Sequence, residues 1–128
     1  MGSKQNWKRQ PEGHDYPAAA DYLSLVASPQ AVDATIAALR TAPLVNRKAK
    51  DLLRASGLAA LPPDNVHVAK DLKKVQDGGK LSPVLVVRGA IETGRPLTIA
   101  DGYHRVCASY HVSEDADIPL RMVDLAGG

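Results

Sequence analysis

In the stretch TIADGYHRVCASYH, residues 98 to 111, a strand-like start runs into Asp101 and Gly102, and His104 and Arg105 follow where a helix can begin. These residue types suit the holding of an anion. A helix N-terminus presents unpaired backbone N–H groups and the positive end of the helix dipole, and a glycine ahead of it lets a ligand approach the main chain. Arg105 adds a planar cation suited to bidentate phosphate contact, and His104 can donate from its ring at the same edge. The same residues also suit a plain tight turn, with Arg105 paired to Asp101 or an acidic loop and His104 a satisfied surface residue. A lone strand-glycine-helix corner does not choose between the two.

A second cationic row lies upstream. In NVHVAKDLKKVQ, Val68, Leu72 and Val75 share one helical face, while His67, Lys70 and Lys74 share another at i, i+3 and i+7. Taken alone, that row reads equally as a solvated lysine face. If the apolar face packs on the sheet that carries the corner at 101–105, however, the cationic edge and the corner can face one cleft.

The elements that must position these groups follow from pattern and punctuation. Ser28 is a good N-cap, Pro29 suits a first helical position, and Val32, Ile36 and Leu39 form an apolar stripe before Pro43. A shorter helix is expected from about Ala18 to Ala27. The run NRKAKDLLRASG predicts another, with Asn46 as cap and Gly57 as stop. Asp64 can cap a helix over about Asn65 to Gln76, which DGG at 77–79 ends. PVLVVRG then reads as a buried strand, ETGRP as a turn, and LTIA as its hairpin partner. A helix over about Tyr103 to His111, the loop SEDAD and a last strand IPLRMV complete the chain. The expected class is therefore α+β: a flexible arm at 1–16 with Trp7 as its one anchor, a helical extension at 17–57, and a small mixed sheet with helices at 58–128, all one compact unit. The extension would cover the sheet or form a homodimer.

Composition bounds the function. At 128 residues the chain suits one core, built without Phe from Leu, Val, Ala and Ile. A formal charge of +2 does not by itself call for nucleic acid. Cys107 is alone, so no internal disulfide and no cysteine zinc site is expected. No apolar run is long enough to span a membrane, and the N-terminus lacks a signal-peptide core, which gives a cytoplasmic reading with no membrane partner. His14 and His111 carry no assigned chemistry.

The order helix, LSPVLVVRG, hairpin, LTIADGYHRVCAS, acidic loop, IPLRMV resembles the fold shared by the N-terminal "nuclease" domain of ParB and by sulfiredoxin, over about residues 58 to 125. The family's corner has the form Gly-x-x-Arg followed by a small-residue helix, matched here by Gly102, Tyr103, His104, Arg105 and Ala108. The resemblance implies a nucleotide site, since sulfiredoxin uses ATP, ParB uses CTP and a related free serine kinase uses ADP. It implies phosphate contacts from Gly102, His104 and Arg105 at the corner and from His67, Lys70 and Lys74 on the helix. Mg2+ would accompany the nucleotide, and Asp101 is either a Mg2+ ligand or a helix cap. Slow nucleotide hydrolysis or phosphotransfer would follow, with the catalytic base unassigned.

The departures narrow this. Tyr103 stands where sulfiredoxin has its reactive cysteine, and Cys107, a turn further on, reads as a small buried residue, so sulfiredoxin chemistry is not expected. ParB has a second Arg where this chain has His104, and a helical DNA-binding region beyond the domain, so a self-contained partition protein is not expected either. DNA is the competing partner. Residues 40 to 54 hold an excess of four positive charges, with Arg47, Lys48, Lys50 and Arg54 as the contacts DNA would use. That stretch has no aromatic residue for stacking on single strands and no helix-turn-helix cue. The acids of SEDAD at 113–117 sit close together in sequence and read first as a solvated loop, so nuclease chemistry is not expected. A third reading is a protein-interaction module with a vestigial nucleotide site.

Overall fold

Val84–Val87 are four apolar residues in a row, a pattern that suits a strand covered on both faces. The computed structural model, which describes residues 5–126, carries this out. Its elements are β1 (Asn6–Trp7), α1 (Asp15–Leu23), α2 (Pro29–Thr41), β2 (Leu44–Lys48), α3 (Ala49–Ser56), α4 (Val66–Gln76), β3 (Lys80–Leu81), β4 (Val84–Val87), β5 (Thr98–Asp101), α5 (Tyr103–Val112) and β6 (Asp117–Val123). The main sheet runs β2-β6-β4-β5, with β4 antiparallel to β5, parallel to β6, and β6 antiparallel to β2. The fold is mixed α+β.

Successive side chains of β4 alternate between two cores. Val84 and Val86 join Leu52, Val68, Val106 and Leu120 under α3, α4 and α5. Leu85 and Val87 join Tyr16, Leu23, Val32 and Leu39 under α1 and α2. The helices therefore lie on both sides of the sheet, and α1 and α2 cover one face. The period-2 rule explains why one short strand serves both layers.

Several expectations hold in detail. Ser28 Oγ accepts the Ala31 N–H at the start of α2, β4 and β5 form the hairpin, and α4 ends at Gln76 just before Asp77, Gly78 and Gly79. Others are corrected. The stretch at 44–48 is not the start of a helix capped by Asn46 but an edge strand, ordered by pairing with β6. Helix α3 begins at Ala49, and its first N–H groups are taken by the carbonyls of Ala116 and Glu114 rather than by a side chain. The extension is thus not wholly helical, and it shares the main sheet with the segment after 58. Asn65, not Asp64, caps α4, its Oδ1 accepting from the N–H groups of His67 and Val68. The N-terminal segment is tied down from residue 5: β1 pairs in parallel with β3, and Gln5 donates to Ser109 Oγ. Helix α1 spans Asp15–Leu23 rather than about Ala18 to Ala27, so Asp15 and Tyr16 are buried in the fold rather than part of a loose arm. The first four residues lie outside the described ones.

The connection between α3 and α4 is held from α5. The Leu61 N–H donates to Cys107 Sγ at 3.4 Å, His111 Nε2 lies 2.6 Å from the Leu61 carbonyl, and the Tyr103 hydroxyl donates to the Ala59 carbonyl. Cys107 is fully buried, and burial pushes its thiol up, so it is the inert packing residue that its position suggests. No helix among the described residues is long and apolar enough to cross a membrane.

Candidate functional site

Helix α4 presents its apolar face to the core through Val68 and Val75, which leaves His67, Lys70 and Lys74 exposed on the other side. The phase follows from the spacing alone, since residues three, four and seven apart stack along one face. Helix α5 packs beside α4, and its N-terminus is reached from β5 through Gly102.

Gly102 has φ +107°, in the region that favours glycine. A Cβ there would lie 2.8 Å from Arg105 Nη2 and 2.9 Å from Val84 Cγ2, so the position is closed by its surroundings as well as by its dihedral. No side chain caps α5. Its leading N–H groups therefore have no helical acceptor, and the dipole end is bare of a carboxylate cap.

Arg105 is largely buried. Its Nη2 donates to Asp101 Oδ2 at 3.0 Å and to the Pro83 carbonyl at 3.3 Å, while its Nε is buried without a protein acceptor. Asp101 is thus engaged by Arg105 rather than capping α5, and both side chains are 17% exposed. Burial pushes the Asp101 carboxyl up, and the guanidinium beside it offsets that only in part. The turn reading and the anion reading of the corner are therefore compatible: the ion pair fixes the guanidinium in place at the edge of the cleft.

All six residues expected to contact phosphate, His67, Lys70, Lys74, Gly102, His104 and Arg105, line one open cleft of about 700 Å3. The rings of His67 and His104 lie with centroids 4.7 Å apart. Burial lowers the His104 ring from its ordinary value, followed by repulsion from His67; Asp71 pulls the other way.

Sequence reasoning missed the acidic side of this cleft. Asp71 lies on the same wall, its carboxyl pushed up by burial against the pull of Arg105, His104, Lys74 and Lys70. Its helical phase, four residues from His67, places it there. Glu12 and His14 line the cleft from the N-terminal segment, and His14 sits 3.3 Å from Glu12 and 3.4 Å from Asp15. Nothing in the sequence marks them, because their place depends on the pairing of β1 with β3.

Asp71 opposes an anion, which gives a first expected result. Asp71→Asn should tighten sulfate or pyrophosphate binding about fivefold, corresponding to about 1 kcal/mol for two unit charges ~4 Å apart in a water-like medium. Stability should change with it. The folded-state value of Asp71 is raised, so its favourable contribution is present below the usual carboxylate range and lost as pH rises through the folded value. Asp71→Asn should therefore raise the unfolding midpoint at pH 7 and leave it nearly unchanged at pH 3, as thermal melts at the two pH values would read.

The other basic cluster is less free. Lys48 Nζ lies 3.5 Å from Asp117, Lys50 Nζ 2.6 Å from Asp115, and Arg54 Nη2 3.2 Å from Asp51. Arg47 Nη1 donates to the Asn46 carbonyl. The acidic loop, expected to be merely solvated, is the partner of Lys48 and Lys50. Among the described residues no group of three or more His, Cys, Asp or Glu side chains is placed to hold a metal ion. A Mg2+ accompanying a nucleotide would have to be held chiefly by the phosphates, since Asp101 is already engaged by Arg105.

In comparison with family models, curated proteins and solved structures, the chain shows no significant match.

Proposed function

We propose that the cleft between α4 and the β5–α5 corner binds the phosphates of a nucleoside di- or triphosphate, in a protein of ParB/sulfiredoxin type. The observation that carries this reading is the convergence of two separate stretches, 67–74 and 101–105, on one cleft with their cationic groups inward. Lys70 and Lys74 supply exposed charges on one wall, Arg105 supplies a fixed guanidinium, and the leading N–H groups of α5, which no side chain caps, meet phosphate oxygens. Such groups also suit slow hydrolysis or phosphotransfer, because fixed donors stabilise charge on a transferring phosphoryl group. Mg2+, carried in with the nucleotide, would neutralise part of the phosphate charge.

DNA as the partner of Arg47, Lys48, Lys50 and Arg54 draws less support, since three of these four cations are already paired with carboxylates. A titration with ATP, ADP and CTP, repeated over a range of salt and beside a duplex oligonucleotide, separates the readings. The expected result is saturable nucleotide binding that survives physiological salt. A duplex bound instead, with log affinity falling at a slope of about −3.6 for four phosphate contacts, would transfer the function to the basic cluster. Binding of neither ligand would favour an interaction module with a vestigial site.

A further inference from the structure

His67 and His104 are each the second residue of their helices, α4 and α5, so two imidazoles meet at two positive helix ends with their centroids 4.7 Å apart. From its own helix His104 is flanked by Tyr103, at 5.8 Å between rings, and by Arg105. From α4 the pair is flanked by Lys70 and Asp71, with Lys73, Lys74 and Asp77 further along the same wall. The cleft lining also holds Asp101 from β5, engaged by Arg105, and Glu12 and His14 from the N-terminal segment. Without ligand, a proton on His104 faces a second imidazole, two helix ends and the Arg105 guanidinium, with Asp71 as a counter-charge. The lowered proton affinity of His104 agrees with that setting.

An anion seated between the two helix ends reverses the balance, since it supplies negative charge to both rings at once. Resting on the anion-site reading above, we propose that His67 and His104 act as one proton-accepting pair, so that the cleft takes up its anion together with a proton from solvent. It should accordingly prefer a doubly charged terminal phosphate to a singly charged phosphodiester. By linkage, whatever raises the proton affinity of the pair on binding must make the anion bind more tightly as pH falls from about 8 to about 6. The preference for a dianion has the same origin, because a second negative charge on the ligand strengthens the hold on the added proton.

Sulfate is the probe of choice, as a dianion that does not itself titrate in this range, with dimethyl phosphate as the monoanionic diester. The imidazole resonances of the full chain would be followed by NMR from pH 5 to 9 in chloride, in saturating sulfate and in dimethyl phosphate at equal ionic strength. Only four histidines are present, and His67→Gln and His104→Gln assign the pair. His111, which faces the Leu61 carbonyl, serves as the internal control. The expected result is a proton affinity of the pair threefold to tenfold higher in sulfate than in chloride, a smaller rise in dimethyl phosphate, and no change at His111. Sulfate that perturbs the backbone of residues 102–105 but leaves the titrations where they were in chloride would overturn proton coupling and spare the anion site. Equal rises in the two anions would overturn the dianion preference. No sulfate-dependent change at any cleft residue would overturn this inference and the anion site together.

Discussion

Replacing Arg105 with alanine is expected to destabilise the protein itself by about 2–3 kcal/mol, the range for charge-assisted hydrogen bonds lost at a partly buried pair. On a domain of this size that lowers the unfolding midpoint by on the order of 10 °C. The reason lies in Asp101, which is as little exposed as its partner and would be left with burial and no guanidinium. Its carboxyl would move up further, so the penalty should be larger at pH 7 than at pH 4, where protonation relieves it. Asp101→Asn made in the same chain should recover about 1 kcal/mol, and a double-mutant cycle over thermal melts reads that coupling. An Arg105→Ala variant as stable as the parent at pH 7 would mean that the pair contributes nothing to the fold.

Gly102→Ala is expected to cost about 2–4 kcal/mol. Part is the backbone, since a left-handed conformation costs an L-residue roughly 1–2 kcal/mol. The remainder is overlap, because the new Cβ would meet Val84 Cγ2 at 2.9 Å, and Val84 is locked in the core. Arg105 Nη2 would be pushed away from the same point, so anion affinity should fall together with stability. Denaturant unfolding measures the first effect and a sulfate titration the second. An alanine variant with unchanged stability would remove the argument that this corner demands glycine.

The parts of the molecule that could be read from sequence are those whose cause is local. The apolar run of β4, the Ser28 cap of α2 and the two faces of α4 depend on neighbours within a few positions, and all three were legible. Strand β2 was not, because Leu44–Lys48 is mostly exposed and becomes a strand only through β6, about seventy positions later. Its charged residues read locally as the start of a helix, whereas the helix begins at Ala49, its first N–H groups taken by the carbonyls of Ala116 and Glu114. The N-terminal segment is illegible for the same kind of reason, since its strand pairs with two residues at 80–81. Within the cleft the cationic residues were found from helical phase and from the glycine corner. Asp71 has an equally legible phase on that edge, whereas Glu12 and His14 cannot be placed from local pattern at all.

Because Arg105 serves the fold as well as the cleft, the direct test of phosphate binding should use Lys70 and Lys74, which are exposed on α4 and line the cleft. Thermal unfolding would be followed with ATP, ADP, CTP and GTP, each with and without Mg2+, on the parent and on a Lys70→Ala, Lys74→Ala double variant. A nucleotide present at about 100 times its dissociation constant adds about 2.7 kcal/mol, a midpoint rise on the order of 10 °C. The account predicts that rise for at least one nucleotide in the parent and most of it lost in the double variant, whose own midpoint without ligand stays close to the parent's. Identical midpoints with and without every nucleotide, or a rise that the double variant keeps in full, would contradict it.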